Sequence, residues 1–365
     1  MVKRLRRRPL KAKSRVRFSL ALPENDRMHG LFRGILFFVG ETMCKKQRNV
    51  TILLLLALFC VSVWSLLAGL VPVSPVHVLC GTLTSLEKNV LVHLRLPRLL
   101  LGLGAGAALA TSGAVLQGVF GNPLADPGIL GVSGGAALGA VISLLLGLPQ
   151  LHFVWLPLGA FCGALLACAC VAFLGRGGQD SRLKLLLSGV AVSLFCGALT
   201  AGLLSFAPDA VMQQYFFWTL GSLSSGSWLQ VRGILPLLLC SLSVLFLWGR
   251  QLNVLSLGEE QALSLGLAAP KWRKLLLGLT SLVMALGVCA GGNIGFVGLI
   301  VPHMLRLVLG PDHRVLLPLS ALGGAVFLVF CDAAGRIVLP GSEIRVGIIT
   351  ALCGTPYFLF LLRKK

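Results

Sequence analysis

Gly292-Asn293-Ile294-Gly295-Phe296-Val297-Gly298-Leu299-Ile300-Val301-Pro302-His303 lies between two long apolar runs. Three glycines, a proline and a histidine share these twelve residues. In hydrocarbon, irregular backbone is tolerated only where protein or a water-filled cavity covers it. The stretch therefore either lines a path or serves as a Gly/Pro-kinked connector between two buried spans. Both readings need a membrane around them, and composition supplies one. The 365 residues are 56% hydrophobic and 12% charged, against about a quarter charged in a soluble domain.

A span takes about 20 apolar residues. Ten runs qualify, several of them short: 50–71, 97–120, 129–148, 153–174, 185–206, 231–248, 275–291, 294–310, 314–337 and 346–362. The fold expected is an all-α integral membrane protein of about ten transmembrane helices. Gly102, Gly104, Gly106 and Gly113 in the second run, and Gly131, Gly134, Gly135 and Gly139 in the third, allow close helix approach in lipid. Between the fifth and sixth runs, Tyr215-Phe216-Phe217-Trp218 and Trp228 suit an interfacial aromatic layer. Residues 255–270 are amphipathic, and read either as a helix lying on the membrane surface or as a docking platform for a cytoplasmic partner.

Net charge is +20, and fourteen of the 32 lysines and arginines precede residue 50. Residues 1–49 are expected to be a basic, disordered extension near anionic lipid heads, with 50–365 as the ten-span domain. The tail is not read as a signal peptide, since the apolar run after it is too long and no small-residue cleavage site follows. Nor does it call for nucleic acid, lacking interleaved aromatics. With ten alternating spans, only Lys88, Arg95, Arg98, Arg232, Arg336 and Arg345 fall on one side. The side richer in positive charge is the cytoplasm, which puts both termini there.

Leu99-Leu100-Leu101-Gly102-Leu103 recurs as Leu275-Leu276-Leu277-Gly278-Leu279. Each opens a small-residue-rich span, and the two spans start on opposite sides. This is either an inverted repeat of the transporter kind or chance similarity in apolar sequence.

No phosphate-cradling G-x-x-x-x-G-K-[ST] occurs, nor a nucleophile elbow or a metalloprotease His/Glu pattern. No catalytic residues, cofactor or metal site are expected. His303 lacks a second ligand at usable spacing. The cysteines, among them Cys168, Cys170 and Cys331, read as small buried hydrophobes. Asp332 and Arg336 stand four apart and can pair along a helix. Few acids sit in span centres, which argues for an external energy source over an ion-coupled secondary carrier. Arg95, Arg98 and Arg336 lie where positive charge is disfavoured, and read either as snorkelling helix ends or as a docking rim for an acidic partner.

Leu94-Arg95-Leu96-Pro97-Arg98, Ser112-Gly113-Ala114-Val115-Leu116-Gln117 and Asn122-Pro123-Leu124-Ala125-Asp126-Pro127 carry a resemblance, as do Gly292 to His303, Asp312 to Pro318, Gly347 to Ala351 and Gly354-Thr355-Pro356. In this order they resemble the FecCD-type permeases over residues 50–365. These are membrane subunits of ATP-binding-cassette (ABC) importers for iron-siderophores, haem and vitamin B12. The resemblance implies a vitamin B12-importer-like permease fold in the bacterial inner membrane, and a transport subunit rather than an enzyme. It implies two cytoplasmic ATPase subunits, a periplasmic or lipid-anchored binding protein and a second permease copy. Coupling to the ATPase falls on 255–270, at Leu257, Gly258, Glu259, Glu260, Ala262, Leu265 and Gly266. Docking of the binding protein falls on Arg95, Arg98 and Arg336, and a gate around Asp180 and Ser181. The expected ligand order is iron-siderophore, haem, cobalamin. Two departures stand out: Glu343-Ile344-Arg345-Val346-Gly347 replaces the family's Glu-Leu-Pro-Val-Gly, and Asn293 stands where an acidic or small residue is frequent.

Overall fold

A computed structural model describes residues 45–69, 73–175, 181–339 and 341–363. The expected basic tail therefore lies almost wholly outside the described residues. The chain divides after Arg48, and the helical body runs from Asn49 onward. Its helices are α1 (Lys45–Leu67), α2 (Pro75–Cys80), α3 (Ser85–Asn89), α4 (Leu96–Phe120), α5 (Val132–Leu145), α6 (Leu148–Leu151), α7 (Trp155–Leu174) and α8 (Ser181–Ser205). They continue as α9 (Asp209–Thr219), α10 (Trp228–Leu247), α11 (Gly249–Ser256), α12 (Glu259–Ser264), α13 (Ala269–Gly291), α14 (Val297–Leu309), α15 (His313–Gly335) and α16 (Val346–Arg363). Among the described residues seven helices are long and apolar enough to cross a membrane; Val132–Leu145, Val297–Leu309 and Val346–Phe360 are shorter apolar helices. All ten expected runs are thus helical. The seventh begins at Ala269 rather than 275, because its first turns carry Lys271, Arg273 and Lys274 beyond the apolar stretch.

The bundle is built around α4. The long helix containing it, Ser85–Phe120, has 78% of its apolar window buried, against 6% for α1. One helix is the core and the other lies on the outside of the bundle. Glycine decides how close its neighbours come. The backbone of Gly106 meets that of Gly324 on α15, and Gly113 meets Gly298 on α14. Gly135 and Gly139 on α5 likewise face Gly163 and Gly159 on α7, a four-residue spacing on both helices.

The pairings repeat across the two halves: α4 packs on α15 as α13 packs on α7, α5 joins α7 as α14 joins α15, and α7 joins α8 as α15 joins α16. The halves run in opposite senses. Arg98 at the start of α4 lies under Gly226, on the face where α13 ends beside Gly221. Gly118 near the end of α4 touches Leu252 and His313, on the face that also holds α11 and α12. The Leu-Leu-Leu-Gly-Leu echo is therefore a structural repeat, and it is inverted. The face with Arg98 is called here the arginine face, and the other the platform face.

Pro97 shapes the entry to α4. It has no N–H and crowds the carbonyl four residues back. Residues Val90–Arg95 accordingly form a π-helix, and Leu96 N–H donates to Leu91 O, five residues back. Ahead of it a capping box closes α3: Glu87 N–H donates to Thr84 Oγ1 at 3.2 Å, and Thr84 N–H donates to Glu87 Oε2 at 2.9 Å.

Among the ten described cysteines none is bridged, and only Cys196 and Cys331 are buried. Cys60, Cys162, Cys170, Cys240 and Cys353 point outward instead of into the core. A thiol is apolar enough to face hydrocarbon, so the interior expectation fails without cost.

Candidate functional site

The glycine-rich stretch forms the sharp passage from α13 to α14. Gly292 ends α13 at φ 78°, and Ser222 N–H donates to Gly291 O at 2.8 Å. Phe296 then adopts φ 68°, the one positive value at a non-glycine among the described residues. A left-handed phenylalanine is strained, and such strain persists only where its surroundings fix it. Here the ring lies against Gly354 on α16, where no side chain intervenes. Asn293 borders an open hollow of about 600 Å³ with Thr219, Gly347, Ala351, Leu352 and Thr355. Both sequence readings hold in part: the stretch is a connector, and one side of it lines a hollow.

Pro302 gives α14 a second irregularity, because it leaves Gly298 O without its intrahelical donor. Gln117 on α4 replaces that donor. Its Nε2 donates to Gly298 O at 3.4 Å and Leu299 O at 3.3 Å, and its Oε1 accepts from Arg306 Nη1 at 2.6 Å. A buried glutamine therefore spans from a proline-freed carbonyl to the arginine at the platform end of α14. His303 packs edge-on to Tyr357, ring centroids 6.5 Å apart. Among the described residues no three His, Cys, Asp or Glu side chains gather as a metal site.

On the arginine face the three expected docking residues bond within the chain. Arg95 donates to Leu66 O and Leu67 O at 2.7 and 2.9 Å. Arg336 donates to Ser65 O and Ala68 O at 2.9 and 3.2 Å, and to Ser65 Oγ. Those carbonyls are the orphan acceptors at the end of α1, where the helix dipole favours cations. Both arginines are buried, at 6% and 4% exposure. Asp332 supplies the countercharge, 3.1 Å from Arg336 and 2.9 Å from Arg98. Arg98 also reaches Glu343 at 2.9 Å. The helical Asp332–Arg336 pair is present as expected, whereas Arg95 and Arg336 are not on a rim. Capping an otherwise unsatisfied helix end in lipid keeps them inside. Arg98 alone borders an opening, a cleft of about 260 Å³ with Ser222, Ser224, Glu343 and Arg345. Arg345 sits over the Phe217 ring at 5.1 Å.

On the platform face, α11 buries Leu252 and Leu255, and α12 buries Ala262. Their outer side shows Leu257, Leu263 and Leu265 at 59%, 54% and 62% exposure. Gly258 (φ 119°) and Gly266 (φ 79°) supply the turns around α12. Polar contacts pin both helices. Asn253 Nδ2 donates to Asp312 Oδ1 at 2.6 Å, and His313 N–H donates to Asn253 Oδ1 at 2.8 Å. Glu259 accepts from Arg273 at 2.7 Å, while Glu260 is exposed. Burial opposes ionisation of Asp312, but bonds from Arg314 and Asn253 prevail and hold its carboxyl at about 2. Of the expected coupling residues, Leu257, Leu265 and Glu260 are thus outward, and Ala262 is the buried anchor. Asp180 lies outside the described residues; Ser181 is the first residue of α8.

Sequence reasoning missed Gln117, Asn253 and Asp312 as partners. The available signal was local for Gln117, a lone amide in an apolar span, but its partner Pro302 is remote in sequence.

The chain belongs to the FecCD transport family, whose model matches residues 53–364. It is 47% identical over 273 residues to the cobalamin import system permease protein of Halobacterium salinarum, covering 74% of this chain and 73% of that one. It is 41% identical over 282 residues to the hemin transport system permease protein of Yersinia pestis, covering 76% and 84%. A solved structure described as of a metal-chelate type ABC transporter, inward-facing, matches with a TM-score of 0.77 at 32% identity, over 87% of this chain and 99% of that one.

Proposed function

We propose that this permease carries a tetrapyrrole-class metal chelate, cobalamin or haem, from a binding protein into the cytoplasm, powered by ATPase subunits on separate chains. The observation that carries the reading is the platform. Leu257, Leu263 and Leu265 are exposed on short helices whose undersides are pinned to α13 and α15. Leucines exposed together on two short helices suit a partner surface, and the pins connect that partner to the bundle. The sequence carries no nucleotide-cradling motif, so an ATPase is the fitting occupant.

Assigning the platform face to the cytoplasm follows the charge distribution, since the arginine face holds few cations. The binding protein then docks on the arginine face. Exposed Lys88 and Arg232 and half-buried Arg345 there suit an acidic partner, with Arg98 neutralised beneath. A second copy of the chain fits the outward leucines of α8 (Leu183, Leu187, Leu194) and α16 (Leu352, Leu359). Two relatives are named for cobalamin and hemin import, which supports testing those two ligands ahead of ferric siderophores.

The test is reconstitution with its ATPase and binding protein, followed by uptake of cobalamin, haem and a ferric siderophore in parallel. Saturable uptake of cobalamin or haem supports the reading, and uptake of the siderophore alone contradicts it. Charge reversal at Lys88 and Arg232 should weaken capture of the binding protein, most visibly at low salt.

A further inference from the structure

Beside the platform, between α7, α13 and the start of α12, lies a cavity of about 430 Å³. Its walls are apolar: Leu130, Leu165, Val171 and Leu277. Its mouth is charged, with Glu259, Arg273 and Lys274. Arg273 is 3% exposed, so this is a built cationic position rather than a surface lysine alone. Lys274 is exposed, as is Lys271 on the same turn. Counting Glu259 and Glu260 against these three cations leaves the mouth net positive.

Two features fix what fits. Trp272, adjacent to Arg273, packs edge-on against Trp248 with ring centroids 5.4 Å apart. Tryptophans gather at the headgroup level of a bilayer, so the cationic mouth stands at that depth. The shaft is also open along its length to the outside of the bundle. Ala169, Ala172 and Gly278 are exposed, and a Cβ at Gly278 would meet no atom within 4 Å. A soluble anion would be served by the mouth and have no use for the shaft. A molecule with an anionic head and a long apolar tail uses both.

We propose that this cavity binds one anionic phospholipid, its phosphate at Arg273 and Lys274 and an acyl chain along Leu277 and Gly278. Headgroup charge is selected by the cations, and the tail by the shaft. The occupied mouth includes Arg273, the residue that also holds Glu259 of α12.

Native mass spectrometry of the full chain, released from nanodiscs of phosphatidylglycerol mixed with phosphatidylcholine, tests this. Wild type should retain one phosphatidylglycerol per chain in preference to phosphatidylcholine. Lys274→Gln should weaken that preference about fivefold, as removal of one cation near a headgroup implies. Gly278→Leu should abolish retention by filling the shaft, with no change of charge. Both positions are exposed on α13, so neither variant threatens folding. Millimolar inorganic phosphate should not displace the retained lipid. Equal retention of the two lipids, retention unaffected by Gly278→Leu, or displacement by inorganic phosphate would each overturn the proposal.

Discussion

The two polar ends of the bundle solve opposite problems. On the arginine face, Arg95, Arg98, Arg336, Asp332 and Glu343 spend their charge on each other and on the end of α1. On the platform face, Asn253, Asp312, Arg273 and Glu259 pin two short helices from beneath and leave leucines facing water. One cluster closes a structure; the other presents a surface. Charge that is fully paired inside costs dearly when one partner goes, whereas an exposed side chain is nearly free to change. The difference therefore separates residues expected to govern stability from those proposed to meet a partner.

The largest effect should come from Asp332→Ala. It leaves Arg336, at 3% side-chain exposure, without its carboxylate partner and Arg98 with Glu343 alone, and should lower stability by about 3–5 kcal/mol. Thermal unfolding in nanodiscs would register it, and an unchanged midpoint would remove the cluster from its locking role. Next comes Gly113→Leu, which drives a side chain into the backbone of Gly298 and should cost at least about 1–3 kcal/mol. Asn253→Ala should cost roughly 1–3 kcal/mol by leaving Asp312 and His313 N–H short of a partner. Unlike the first two, it should also impair ATP-driven uptake in the protein that remains folded. Leu257→Ser and Leu265→Ser should shift stability by less than about 0.5 kcal/mol while weakening ATPase capture. Loss of fold with these two would erase the distinction between the ends.

The smallest effect concerns pH. Asp312 holds a carboxyl at about 2, below its ordinary 3.8. A depressed carboxylate stabilises fully above the ordinary value, and that contribution fades as pH falls from 3.8 towards 2. Platform integrity, followed by protection of α11 backbone amides from exchange, should lose the Asp312 contribution in that acid window.

The same contrast explains what could be read without coordinates. The ten apolar runs were legible because hydrocarbon length and composition fix them, and Leu99–Leu103 with Leu275–Leu279 disclosed the inverted repeat. The platform at 255–270 was legible from its amphipathic spacing. The destinations of the arginines were not. Arg95 and Arg336 look like surface charges by type, yet they answer the unpaired carbonyls of α1, nearly thirty and about 270 residues away. Gln117 is recognisable as a lone amide in an apolar span, but its purpose depends on Pro302 in another helix. Long-range satisfaction of backbone groups leaves no periodic mark in a sequence.

The central claim is that the platform takes its drive from an ATPase. Uptake of cobalamin and haem into proteoliposomes containing permease, ATPase and binding protein tests it directly, with ATP and the proton gradient varied separately. Uptake should require ATP and the ATPase, survive collapse of the gradient, and fall in the Leu257→Ser, Leu265→Ser double variant. Uptake by the permease alone that vanishes with the proton gradient would contradict the account.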